Sequence, residues 1–169
     1  MLVALGVLFI TLGVLFPTLD LTVAALTSLV VALAFVELGA PYVHLVWICT
    51  SLISFTFFSG SPVWLVYFLV FGFYPILKAY IERLWRGVWI LLKLVYSNAS
   101  FALLFLLYEL IFSKPFIGEE SWFGISGKAL VLVALIIMNA AFAAYDMLIT
   151  VMIRIYVFKY RERFKNLLK

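Results

Sequence analysis

Apolar residues run almost unbroken from Met1 to Phe16, pause at Pro17-Thr18-Leu19-Asp20, resume to Leu38 and pause again at Gly39-Ala40-Pro41. Later runs end at Ser59-Gly60-Ser61-Pro62, at a charged stretch around Glu82 and Arg83, and at a polar segment from Ser113 to Ser126. A helix needs about 20 residues to cross a hydrocarbon core of roughly 30 Å. Clusters of Gly, Pro and Ser are where successive helices turn. The runs therefore predict six helices, at about residues 1–16, 20–38, 41–58, 62–82, 86–112 and 127–157, in one integral membrane domain covering 1–169. The expected fold class is all-α, a polytopic helical bundle of six transmembrane helices. The first run has neither a basic leader nor a small-residue cleavage site, so it reads as a span and not as a signal peptide.

The fourth run organises the rest. At Phe71-Gly72-Phe73-Tyr74-Pro75 it meets a proline, and from Lys78 to Arg83 it becomes amphipathic. Pro75 removes one helical hydrogen bond and disfavours helical geometry at Tyr74, so a kink is expected between Phe71 and Tyr74. In the second run Ala24, Ser28 and Ala32 form a small-residue stripe, and in the first Gly6 and Gly13 stand at heptad spacing. Small residues at the four-residue spacing of the stripe allow close helix approach where lipid removes the hydrophobic drive for association.

Composition sharpens this picture. The 169 residues are 67% hydrophobic and 12% charged, whereas about a quarter of a soluble domain is charged. A soluble domain is excluded. The net charge of +4 does not indicate nucleic acid, because the basic residues flank spans and form no groove interleaved with exposed aromatics. Ten of the twelve Lys and Arg fall on one side: Lys78, Arg83, Arg86 and Lys93 after the fourth run, then Arg154 and the five of the tail. Only Lys114 and Lys128 fall on the other. The positive-inside rule then places the charged junction and both termini in the cytoplasm (N-in/C-in), in a multi-pass protein of the cell membrane. The Ser113–Lys128 segment is then external, with Trp64 and Trp122 as interfacial anchors.

The single cysteine, Cys49, excludes an intrachain disulfide, a CxxC pair or a thiolate metal site. HExxH, GxSxG and P-loop motifs are absent, and neither Glu37 nor Asp146 has an acidic neighbour with which to hold a metal-diphosphate. No enzymatic activity, cofactor or metal site is expected.

Ionisable groups inside a membrane are costly, and each is a functional candidate. In the last run Asn139, Ala143, Asp146, Thr150 and Arg154 share one helical face. Asp146 and Arg154 lie two turns apart, so each is expected to find its partner on another helix, with Lys78 the candidate for Asp146. One reading is a polar pathway through Asn139 and Asp146; the other is a buried pair that fixes helix register. In the fifth run Asn98, Ala102, Phe105 and Glu109 share a face. Asn98 is expected at the depth of Asn139, where the two amides can bond across helices, and Glu109 near the external surface with Glu119 and Glu120. Glu37 and His44 flank the second turn, where they read most simply as a solvated pair. Glu82 and Arg86 have the favourable i,i+4 order for an ion pair, and Lys78 with Glu82 the weaker one.

The six-helix topology, the small-residue stripe, the Phe71–Lys78 pattern, Tyr145-Asp146 and the basic tail resemble the substrate-binding S components of energy-coupling factor vitamin transporters. They also resemble uncharacterised six-helix membrane proteins of Gram-positive bacteria. The resemblance implies a small-molecule binder in the bacterial inner membrane that works with a separate transmembrane coupling protein and cytoplasmic ATPases. Its ligand would enter near the external loop and meet Asn98, Glu109, Asn139 and Asp146. The alternative is a scaffold that is similar to the MreD family of rod-shape proteins. It would dock partners at the elbow formed by Tyr74, Pro75, Lys78, Glu82 and Arg83.

Overall fold

The computed structural model describes residues 1–113 and 128–160, and among these every regular element is helical. In chain order they are α1 (Leu2–Leu15), α2 (Asp20–Leu38), α3 (Ala40–Phe58), α4 (Val63–Val66), α5 (Tyr74–Ile81), α6 (Arg86–Phe112) and α7 (Lys128–Ile155). A 3-10 turn, Pro17–Leu19, joins α1 to α2. Gly39 takes φ 84° between α2 and α3, a left-handed backbone that glycine adopts without steric penalty. The residues Lys114, Glu119, Glu120 and Trp122 of the segment expected to be external, and the tail residues Arg161, Arg163, Lys165 and Lys169, lie outside the described residues.

Five stretches are long and apolar enough to cross a membrane: Asp20–Leu38, Ala40–Phe58, Val63–Ile81, Gly87–Phe112 and Leu132–Lys159. These are the dimensions and composition of a membrane-embedded helical bundle. The apolar helix α1, at 14 residues, is about 21 Å long.

Small residues draw α1, α2 and α3 together. A Cβ built on Gly6 would lie 2.9 Å from Thr50 Cγ2, and one on Gly13 would lie 3.1 Å from Val63 Cγ1, so a side chain enters at either site only if its neighbour gives way. Ala24, Ser28 and Ala32 of the α2 stripe are all buried. Trp64, expected at the lipid boundary, is instead 8% exposed. It packs edge-on against Phe55 at 4.8 Å, and its Nε1–H faces the Ser59 carbonyl at 3.4 Å. Burial is uneven: 67% of the Val63–Ile81 span is inside the protein, against 17% of the last span. The broken fourth span is therefore the core of the bundle, and α6 with α7 forms a flank.

The break is longer than a proline kink. Tyr67–Phe71 form a π-helical turn, in which the Gly72 N–H reaches back five residues to the Tyr67 carbonyl at 2.6 Å. Helical geometry resumes only at Tyr74. Glycine is required at 72, because a Cβ there would sit 2.8 Å from the Tyr67 carbonyl oxygen and 2.8 Å from Trp47 Cδ1.

Candidate functional site

A broken helix at membrane depth leaves carbonyls that water does not reach, and each such group needs a protein donor. Here the donors come from three other helices. Trp47 Nε1–H on α3 donates to the Phe68 carbonyl at 3.3 Å. The Tyr96 hydroxyl on α6 is shared between the carbonyls of Leu69 at 2.8 Å and Val70 at 3.0 Å. The Tyr145 hydroxyl on α7 lies within reach of the Phe71 carbonyl at 3.2 Å and of Ser28 Oγ at 2.5 Å. Pro75 has no N–H to offer Phe71, so Tyr145 substitutes for it. Four successive carbonyls are thus met by side chains, and the break ties α2, α3, α6 and α7 to one point.

The Tyr74 ring, fully buried, sits directly after the break. It stacks on Tyr96 at 5.6 Å and meets Phe142 edge-on at 4.6 Å. Its hydroxyl donates to Asp146 Oδ1 at 2.6 Å. One turn further along α5, Lys78 pairs with the same oxygen and with Glu82 Oε1 at 2.6 Å. Lys93 on α6 closes the ring, reaching Asp146 Oδ2 at 2.8 Å and Glu82 Oε1 at 3.0 Å. Two ammonium groups and two carboxylates alternate, so the quartet is neutral as a unit. Lys78 has a side chain only 4% exposed, which removes it from lipid and water alike. An isolated charge there would be prohibitive, whereas this arrangement gives every charge two opposite neighbours.

About two turns away along α7 a second polar layer joins α6 to α7. Asn98 and Asn139 exchange amide hydrogen bonds at 3.1 and 3.3 Å. Each amide also donates to the carbonyl four residues back, Leu94 for Asn98 and Leu135 for Asn139. Ser97 Oγ donates to Asn139 Oδ1 at 3.0 Å. A groove of about 220 Å³ runs between α6 and α7 past both layers, lined in part by Ile90, Lys93, Leu94, Ala143, Asp146 and Met147.

The residues singled out from the sequence are therefore distributed as follows. Asp146, Lys78 and Glu82 meet, with Lys78 partnering Asp146 as expected. Asn98 and Asn139 meet, with their amides satisfied by each other and by their own helices. Glu109 is exposed on α6, eleven residues beyond Asn98 and so about 16 Å along the axis. Tyr74, Pro75 and Lys78 are buried, so the outward surface of the elbow consists of other residues. These are Tyr80, Leu84 and Trp85, which are 43%, 53% and 83% exposed, together with Arg83, exposed and placed 5.7 Å over the Tyr80 ring. The side chain of Arg86, and with it the expected Glu82–Arg86 pair, lies outside the described residues. His44 Nδ1 stands 2.7 Å from the Ala40 carbonyl of its own helix.

Lys93, Tyr96 and Trp47 were not singled out from the sequence as site residues. Lys93 carried a signal, since a lysine seven residues inside an apolar run needs an acidic partner. Tyr96 carried a fainter one, because a tyrosine hydroxyl buried among apolar side chains needs an acceptor. No family model, curated protein or solved structure matches the chain.

Proposed function

We propose that the protein is a non-enzymatic scaffold of the cell membrane, with six spans and both ends in the cytoplasm, and that a partner protein docks on its α5–α6 elbow. The short α1 counts as the sixth span, and the basic residues at the α5–α6 junction and beyond α7 support the inward orientation. The observation that carries the reading is the contrast across the elbow. Behind it stands a closed charge quartet; in front stand the exposed Arg83, Leu84 and Trp85. Trp and Arg are the residues in which binding energy concentrates, and a backing held by four ion pairs reduces the ordering lost on association.

Small-molecule sites occupy about 300–1,000 Å³ and offer polar groups to the ligand. The groove past Asn98, Asn139 and Asp146 is smaller, about 220 Å³, and these side chains already bond one another. The test is purification in mild detergent from the native host, comparing the natural chain, Arg83→Ala with Trp85→Ala, and Leu52→Ala on another face. A partner that remains with Leu52→Ala and is lost from the double variant supports docking at the elbow. A complex that survives the double variant rules it out.

A second reading, the substrate-binding subunit of an energy-coupling-factor-like uptake system, is favoured by the broken span alone. Interrupted helices near the midplane frame the sites of many transporters. Its mark would be a small molecule retained in native mass spectrometry together with cytoplasmic ATPases. Full retention after combined Asn98→Leu and Asn139→Leu would exclude those residues from its site.

A further inference from the structure

Buried hydroxyls in this bundle find partners within the protein, with three exceptions that fall together. Of the seven buried serines and threonines among the described residues, Thr27, Ser28, Ser51 and Ser100 donate to carbonyls three or four residues back, and Ser97 donates to Asn139. The buried hydroxyls of Tyr74 and Tyr145 are bonded as well. Thr50 Oγ1, Ser54 Oγ and the Tyr67 hydroxyl have no hydrogen-bond partner among the described residues, although these side chains belong to residues only 1%, 0% and 0% exposed. We propose that the three hydroxyls bind one buried water molecule, which ties the first residue of the π-turn to α3. The inference is independent of the scaffold reading.

The fold brings the three side chains to one layer. The fourth span runs antiparallel to α3, and two ring contacts set the register: Trp47 stacks on Phe68 at 5.1 Å, and Phe55 meets Trp64 edge-on at 4.8 Å. Thr50 and Ser54 stand between Trp47 and Phe55, one turn apart on one face of α3, and Tyr67 stands between Trp64 and Phe68. The Tyr67 hydroxyl faces that of Thr50, but the two do not reach hydrogen-bond geometry. Beside Thr50 the backbone of α1 closes the layer, since a Cβ on Gly6 would lie 3.1 Å from Thr50 Oγ1. A serine or threonine inside a helix ordinarily returns its hydroxyl to the preceding turn. Thr50 and Ser54 forgo that bond, so their partner must come from elsewhere.

The chemistry of the donor set selects water. Each hydroxyl can donate one hydrogen bond and accept others, and a buried water typically makes about three bonds to groups that are otherwise unsatisfied. One molecule therefore completes all three. A cation fits worse, because three neutral hydroxyls do not offset a buried charge. Nor can the break supply further oxygens: the carbonyls of Phe68, Leu69, Val70 and Phe71 already face side-chain donors, and that of Tyr67 accepts from the Gly72 N–H. Those donors hold the later residues of the π-turn. The water would hold its first residue in the same way.

The experiment is a crystal structure of the full-length chain at a resolution that shows ordered water, grown once in sodium and once in rubidium salt. The expected result is a peak about 2.8 Å from each of the three hydroxyl oxygens, with no anomalous signal in rubidium. Thr50→Val and Tyr67→Phe, both close to isosteric, should each abolish the peak and lower the melting temperature. Ser51→Ala, whose hydroxyl serves its own helix, should leave the peak in place. The triple variant Thr50→Val, Ser54→Ala, Tyr67→Phe should melt above either of those single variants, since no hydroxyl is then left unpaired. The proposal is overturned by a natural chain without the peak, by an anomalous rubidium peak at the site, or by a direct Tyr67–Thr50 hydrogen bond in place of the water. Single variants that melt above the natural chain would also overturn it, because removing a hydroxyl that has no partner stabilises.

Discussion

The amino-terminal helices and the α6–α7 flank hold to the broken fourth span by different means. On the α1–α3 side the contacts are close and apolar, with Gly6 against Thr50 and Gly13 against Val63 and Val23. On the α6–α7 side little surface is buried, 22% and 17% of the two spans, and the attachment is polar: the quartet, the tyrosine donors and the paired asparagines. In lipid an apolar seam gains little from exclusion of water, so it depends on tight packing. A polar tether instead depends on every member being present, because each unpaired partner is left in a medium that cannot solvate it. The first kind of attachment should weaken gradually under mutation and the second abruptly.

The sharpest way to break the comparison is to remove one charge. Asp146→Leu leaves Lys78 and Lys93 to share the single carboxylate of Glu82 and takes the acceptor from Tyr74. Loss of one partner in a buried pair costs about 3–5 kcal/mol. Thermal unfolding in detergent should shift strongly, and limited proteolysis should release α6–α7 before α1–α3. Lys78→Met with Asp146→Asn restores neutrality, keeps an acceptor for Tyr74 and leaves Lys93 with Glu82. This double variant should be more stable than either single one. If it is no better, the quartet is not an electrostatic unit.

Next comes the break itself. Gly72→Ala forces a methyl against a backbone carbonyl at 2.8 Å, and overpacking of this kind costs about 1–3 kcal/mol. Gly6→Ala, on the other side, meets the end of the Thr50 side chain at 2.9 Å, which can rotate away. The expected order is therefore Gly72→Ala below Gly6→Ala in melting temperature. The reverse order would mean that the apolar seam, and not the break, is the rigid centre.

Tyr96→Phe removes one hydroxyl from two carbonyls, at 2.8 and 3.0 Å. An unsatisfied buried acceptor costs about 1–3 kcal/mol. Hydrogen exchange at Gly72 and Phe73 should accelerate in this variant while the amides of α2 remain protected. Uniform acceleration would show that the tyrosine serves the whole fold and not the break.

How far the sequence disclosed all this depends on the range of the interaction. Turns are local events, and Pro17, Gly39, Pro62 and the charged elbow set helix limits that the apolar runs already indicate. The Lys78–Asp146 pair was legible because two intramembrane charges of opposite sign at similar depth have few other options. The Asn98–Asn139 pair was legible for the same reason. The π-turn was not, since Pro75 signals lost hydrogen bonding near Phe71 but not the backward reach of Gly72 to Tyr67. Nor was the burial of Tyr74 and Lys78. An amphipathic helix end after a proline reads as surface, and only the position of α7 shows that Asp146 covers it.

The smallest effect concerns the asparagine layer, where the two kinds of attachment meet. Asn98 and Asn139 are fully satisfied by each other, by Ser97 and by their own helices. Interhelical hydrogen bonds in membranes average about 0.6 kcal/mol. Asn98→Leu leaves the Asn139 amide with Ser97 as its one partner across the helices, so this single change should be mildly destabilising. Adding Asn139→Leu removes the second amide and replaces the clasp with an apolar contact, which is close to neutral in lipid. In a double-mutant cycle read by thermal unfolding, the pair should therefore be no less stable than Asn98→Leu alone. A double variant that falls well below the sum of the singles would mean that the layer supports something beyond the α6–α7 seam.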